Sequence, residues 1–283
     1  MTNLDQFESV FKSADKPVFA HEQVDFKRVL IVTDLDSESV QGFATTVREF
    51  LNVLDSIEFN TTTASEFSRV GQLLQLVSQH DPDLICTYRN LHIPATEYPY
   101  SLGVYIDVLT QATTIPVMLL PHPTDVSKCE DVLKSTQTVM AVTDHLTGDH
   151  HLVSLAVSLV APGGKLLLTH VEDETVFEKY LTTISKIPEI DTETARDEIH
   201  EQLLKEPRDY IRSCREVLKA DGFDIPIEEI VTVGHRLADY KQLIDEHDVN
   251  LVVLNTKDHG QLAMHGVAYP LSVELRETPM LLL

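Results

Sequence analysis

No apolar run in this chain of 283 residues approaches the roughly 18 to 20 residues that a membrane-spanning helix needs. The first residues, Met1 to Pro17, are polar and mixed in charge, without the apolar core of a secretion signal. Together these absences predict a cytoplasmic protein with no membrane partner. Cysteine is scarce. Cys86, Cys129 and Cys214 stand far apart and form no Cys-x-x-Cys pair, which excludes a disulfide framework and a thiolate metal or redox motif. Positive charge is in deficit: Lys and Arg total 22 against 45 Asp and Glu, for a formal net charge of −23. Such a field repels nucleic acid and makes a polyphosphate costly to hold unless cations gather locally. Its plain consequence is solubility. Catalytic signatures are missing too. There is no Gly-x-Ser-x-Gly elbow, no His-Glu-x-x-His and no Cys beside a His, so no catalytic constellation is read and no enzyme is expected.

What is present is a repeat. Val29-Leu-Ile-Val-Thr-Asp34 matches Val139-Met-Ala-Val-Thr-Asp144 at an offset of 110. His80-Asp-Pro-Asp-Leu-Ile85 matches His247-Asp-Val-Asn-Leu-Val252 at 167, and Ile115-Pro-Val-Met-Leu-Leu120 matches Thr278-Pro-Met-Leu-Leu-Leu283 at 163. Three blocks recur in one order, which chance rarely produces. Two tandem copies follow, 1–123 and 124–283. The second is 57 residues longer between its first two blocks. That surplus suits one strand–helix unit with its loops, since a βαβ unit takes about 30 residues or more.

Periodicity supplies the elements. In the second copy strands are expected at 138–143, 165–170, 229–233, 250–254 and 280–283, with helices at 149–160, 192–220, 237–247 and 268–276. The long helix carries Pro207 as a candidate break, and the segment before it reads as polar. In the first copy strands are expected at 28–33, 56–61, 84–87 and 117–120, with helices at 37–54, 65–80 and 102–111. Residues 1–27 read as a polar extension and 121–136 as a linker. Continuous apolar strands alternating with helices predict an α/β fold with a parallel sheet in each copy.

In such sheets ligands bind outside the carboxyl ends of strands, where the strand order turns. Thr143 and Asp144 end one first strand and Asp34 the other, so each aspartate points into a crevice or opens the next helix. Ser37 and residues 147–149 are the competing helix caps. The loop after the fourth strand, Asn255 to Ala268, is the natural phosphate site. Arg89 and His92 in the matching loop of the first copy are candidates for an anion.

On these residues the chain resembles a tandem universal stress protein. Members typically begin with a strand ending in Asp, follow with a strand ending in His-Val, as in His170-Val171, and close on a Pro-led strand, as at Pro116 and Pro279. The resemblance implies two Rossmann-like nucleotide-binding domains, the first lacking one strand–helix unit. ATP-binding members carry Gly-x2-Gly-x9-Gly-Ser/Thr on the fourth loop. Here Asn255 and Asp258 take the first two positions. Gly266 comes two residues early for the third, and Val267 replaces the hydroxyl residue. In the first copy Tyr88, Leu91, Gly103 and Val104 stand there. Glycines let backbone approach phosphate, and Asp258 would repel it, so ATP is disfavoured. AMP or another adenine nucleotide is left a residual pocket of Thr143, Asp144, His170, Asn255, Lys257, Gly260, Gly266 and Val267.

The function expected is stress-associated binding or regulation. The alternatives are a nucleotide switch with slow hydrolysis in the second copy, or a metal-binding variant using His145, Asp149, His150, His151, His170, His259 and His265. The resemblance also implies that the last strands, Ile115–Leu120 and Pro279–Leu283, pair as an internal pseudo-dimer. Homodimerisation of the whole chain stays open.

Overall fold

The computed structural model describes residues 18–54, 56–93, 98, 100–123, 129, 131–143, 146–256, 264 and 266–283. Nine strands and eight helices alternate among them. The order is β1 (Arg28–Ile31), α1 (Ser39–Phe50), β2 (Glu58–Thr61), α2 (Val70–His80), β3 (Leu84–Tyr88), α3 (Val104–Ala112) and β4 (Val117–Leu120). Then follow β5 (Thr138–Val142), α4 (His150–Ser158), β6 (Lys165–Asp173), α5 (Glu174–Ile184), α6 (Thr192–Ala220), β7 (Ile227–Gly234), α7 (Arg236–Glu246), β8 (Leu251–Leu254), α8 (Ala268–Glu274) and β9 (Met280–Leu282).

All nine strands join one sheet in the order β2-β1-β3-β4-β9-β8-β5-β6-β7. The interior strands β3, β4, β5, β8 and β9 are buried at every residue. Covered on both faces, they read as unbroken apolar runs. The edge strands β2 and β7 are half-buried. Every pairing is parallel except one. β4 meets β9 antiparallel, with Val117, Met118 and Leu119 opposite Leu282, Leu281 and Met280. The carboxyl ends of β1–β4 therefore face one edge of the sheet, and those of β5–β9 the other. The strand order turns between β1 and β3, and again between β5 and β8. Two crevices follow, at opposite edges.

Four expectations need correction. The polar segment after β6 contains a helix, α5, because Phe177 and Leu181 bury a face at helical spacing. α6 runs unbroken through Pro207, which is itself buried. The first aspartate is not the cap of α1: Asp36 accepts from the Glu38 and Ser39 amides at 3.1 and 2.8 Å. Lastly, the described part of the extension, 18–27, is a strap. Lys27 and Arg28 amides donate to Asp83 on the first half. Phe19 and Glu22 amides donate to Ser213 and Ser154 on the second. Residues 124–128 and 130 of the linker lie outside the described residues.

Candidate functional site

In the crevice between β1 and β3 the chain fills its own pocket. β3 ends in Tyr88, whose ring is fully buried between Phe43 and His122, with centroids 5.4 and 4.7 Å away. Its hydroxyl donates to Asp34 Oδ1 and accepts from the Asp34 amide at 3.1 Å. Thr33 Oγ1 lies 2.7 Å from the same oxygen. The second carboxylate oxygen, Asp34 Oδ2, accepts from the His92 amide at 2.7 Å. Both Asp34 oxygens are thus bonded within the chain. Burial, reinforced by the Asp34 carboxylate, pushes the Tyr88 phenol above its ordinary range. Burial pulls His122 down, with Asp34 opposing.

The neighbouring motif positions have structural roles. Gly103 has φ +86°, and a Cβ there would stand 3.0 Å from the Asn90 Cα. The close approach of Asn90 by itself requires glycine there. Arg89 bonds backbone across the boundary between the halves. Its buried Nη2 donates to the Ser272 and Leu275 carbonyls at the end of α8, both at 2.5 Å. Burial, aided by Arg276, pulls the guanidinium down to about 10, so it remains a cation at neutral pH against the negative end of a helix. The His92 ring packs between Phe67 and Tyr105.

The crevice between β5 and β8 repeats the device with other residues. Asn255 stands just past β8 and donates through Nδ2 to Asp149 Oδ2. Asp149 Oδ1 caps α4 by accepting from the Leu152 amide at 3.1 Å. Burial raises the Asp149 carboxyl, with these two bonds opposing. Thr143 is buried, and its carbonyl accepts from the Tyr240 hydroxyl at 3.3 Å. The same hydroxyl accepts from the Val171 amide at 3.3 Å, tying the ends of β5 and β6. His170 is buried with Nε2 3.2 Å from Glu172 Oε2, while its Nδ1 has no hydrogen-bond partner among the described residues.

Gly266 and Val267 lie apart from these residues. They line an open cleft of about 850 Å³ between α7 and α8, with Asp173, His235, Arg236 and Lys241 on its walls. Arg236 donates to the Val171 carbonyl at 2.9 Å, and Lys241 pairs with Glu274 at 2.9 Å. Of the eight expected site residues, the structure places Thr143 and Asn255 just past their strands, His170 within β6 opposite Val231, and Gly266 and Val267 on the cleft. Asp144, Lys257 and Gly260 lie outside the described residues. Among the described residues no group of three or more His, Cys, Asp or Glu could hold a metal ion, although His145, His259 and His265 fall outside them. Sequence reasoning missed Tyr240, the Asp149–Asn255 bond and the burial of Arg89. Only the replacement of the first motif glycine by Tyr88 and Asn255 hinted at them.

Such a sheet, with its crevices at the turns in strand order, defines an open, mostly parallel α/β protein of the Rossmann-like type. More narrowly, the fold is that of universal stress proteins. A universal stress protein from Archaeoglobus fulgidus DSM 4304 superposes with a TM-score of 0.54 at 12% identity, over 90% of this chain and 97% of that one. A functionally unknown protein from Pseudomonas aeruginosa PAO1 gives 0.49 at 14% identity, over 91% and 92%. No family model matches the chain, and no curated protein matches it. Among the described residues no helix is long and apolar enough to cross a membrane.

Proposed function

We propose that the chain is a stress-associated binding or regulatory protein of the universal stress type, made of two copies, 1–123 and 124–283, without a canonical ATP site. One observation carries this reading. In each copy the side chain at the first motif-glycine position crosses the crevice to an aspartate: Tyr88 to Asp34, and Asn255 to Asp149. A nucleotide would have to displace a half-buried hydrogen bond in each copy, at about 1 to 3 kcal/mol each. The antiparallel meeting of β4 and β9 supports reading the copies as an internal pseudo-dimer.

A second reading keeps a nucleotide in the second copy. The cleft at Gly266 and Val267 favours it, because its volume falls within the range of about 300 to 1,000 Å³ usual for small-molecule sites and Arg236 lies on its wall. AMP suits it better than ATP, having less charge to place in an acidic field. Thermal melts with ATP and AMP up to millimolar concentration separate the two, because a ligand that binds only the folded state raises the midpoint. The first reading expects no shift with either. A saturable shift with AMP alone carries the second, and one with ATP overturns both.

A further inference from the structure

The outermost strand of the second half is unpaired along its free edge. Outward from the seam between β4 and β9, strands β3, β1 and β2 on one side answer β8, β5 and β6 on the other, and β7 is left over at the end of the sheet. β7 pairs with β6 in unbroken register over its eight residues, from Leu166 opposite Ile227 to Asp173 opposite Gly234. No strand among the described residues lies on its other side. Helices reach it on both faces. Arg208 and Arg215 of α6 meet Glu229 on one, and His247 at the end of α7 meets Glu228 on the other. The strand is half-buried throughout except at Glu229, which is exposed.

One bond fixes which backbone groups face outward. The Pro226 carbonyl accepts from the Leu166 amide at 2.9 Å, so alternate residues from Pro226 onward turn to β6. Ile227, Glu229, Val231 and Val233 therefore turn their amides and carbonyls away from the sheet. Arg215 Nε donates to the Ile227 carbonyl at 3.2 Å, and the Thr232 hydroxyl to that of Val233 at 3.3 Å. The backbone groups of Glu229 and Val231 have no partner among the described residues. The usual guards of a free edge are missing. β7 contains no proline, lysine or arginine, and its register with β6 has no bulge. Its carboxylates are tied back within the chain, Glu228 by Lys165 at 3.0 Å and Glu229 by Arg215 at 3.2 Å. The opposite edge of the sheet, β2, has only four residues.

We propose that β7 pairs antiparallel with β7 of a second copy, across a two-fold axis at Ile230, and so extends the sheet into a dimer. The strand is self-complementary in that register. Glu229 meets the partner's Val231, Ile227 the partner's Val233, and Glu228 the partner's Thr232, so no carboxylate faces another. Glu229 and Val231 exchange the backbone bonds that neither finds in its own chain. The two copies of Ile230 form the non-hydrogen-bonded pair on the axis, where side chains approach closest. The seam between β4 and β9 closes one edge in the same antiparallel way within the chain, and β7 would continue that sheet. A two-fold contact uses the same strand twice, so assembly stops at two copies. The pairing does not depend on what the crevices bind.

Sedimentation of the full chain tests it. Salt is raised to screen the repulsion between two chains of net charge −23, and a species of twice 31.8 kDa is expected. A monomer would leave the edge to some other occupant, such as an extended peptide. A ladder of larger species would mean open-ended pairing of β7 with β2. Either result overturns the proposal. Val231→Pro removes an outward amide and no bond to β6, so this variant is expected to fold and to sediment as a monomer. A folded variant that remains as dimeric as the unaltered chain would place the contact elsewhere and overturn the proposal. Ile230→Cys decides the matter if the proline variant does not fold. The native cysteines are buried, and the two introduced thiols meet on the axis at a separation that a disulfide spans. Mild oxidation is expected to yield a covalent dimer joined at residue 230. No cross-link would mean that the two strands do not meet, and the proposal would fall.

Discussion

Tyr88 shows how one side chain can close a crevice. A glycine at that position would leave room for a ligand; a tyrosine fills it with a ring and brings its own hydroxyl to the aspartate. The hydroxyl serves Asp34, the Asp34 amide and Thr33 at once. Removing it leaves a half-buried carboxylate and a buried threonine short of a partner. Tyr88→Phe, which preserves the ring packing, is therefore expected to lower stability by about 1 to 3 kcal/mol. Chemical denaturation checks this, and an unchanged midpoint would mean that the hydroxyl network contributes nothing net. The replacement of glycine was legible from spacing alone. The partner was not, because Asp34 and Tyr88 are 54 residues apart and only the parallel pairing of β1 with β3 sets them side by side.

Among the elements, α6 departs furthest from what local chemistry prefers. Proline inside a helix removes one hydrogen bond and crowds the preceding turn, at about 3 kcal/mol. α6 nonetheless passes through Pro207, because Leu204, Tyr210, Ile211, Cys214 and Leu218 anchor it to the sheet on either side. The proline sits close to where the helix leaves the sheet. Pro207→Ala should restore the missing bond to the Leu203 carbonyl and slow amide exchange over residues 192–203 by roughly tenfold. Exchange there as fast as before would show that the proline does not limit that stretch of the helix. α5 escaped the sequence reading for a related reason. Its apolar residues spread over a buried and an exposed face, between Glu174, Glu178 and Lys179, so the segment reads as polar unless the helical spacing of Phe177 and Leu181 is isolated.

At the scale of the whole molecule the seam between β4 and β9 decides the architecture. It turns two groups of parallel strands into one sheet, and Arg89 crosses the same boundary to bond the last carbonyls of α8. The strap adds a third tie, from Asp83 to Ser213 and Ser154. Halves joined in this way should unfold together. Leu281 is fully buried in the seam opposite Met118. Leu281→Ala is expected to cost about 2 to 5 kcal/mol. In calorimetry the variant should melt earlier and still in a single transition. Two separate transitions would mean that the halves are independent folding units.

By itself the sequence determined the alternation of strands and helices, the strands buried on both faces, and the positions at which the loop after the fourth strand departs from the glycine motif. Those are local properties. Burial on both faces demands unbroken apolar runs, and a side chain at a glycine position is visible as a letter. Tertiary structure decided the rest. Parallel strands find their neighbours through contacts distant in the chain, so the strand order and the antiparallel seam lay beyond any local pattern. The same holds for Arg89, whose composition suggests an anion and whose burial commits it to helix carbonyls. It holds too for the extension, polar in sequence, of which Phe19 is buried against Tyr210 and His150 because the second half provides the groove.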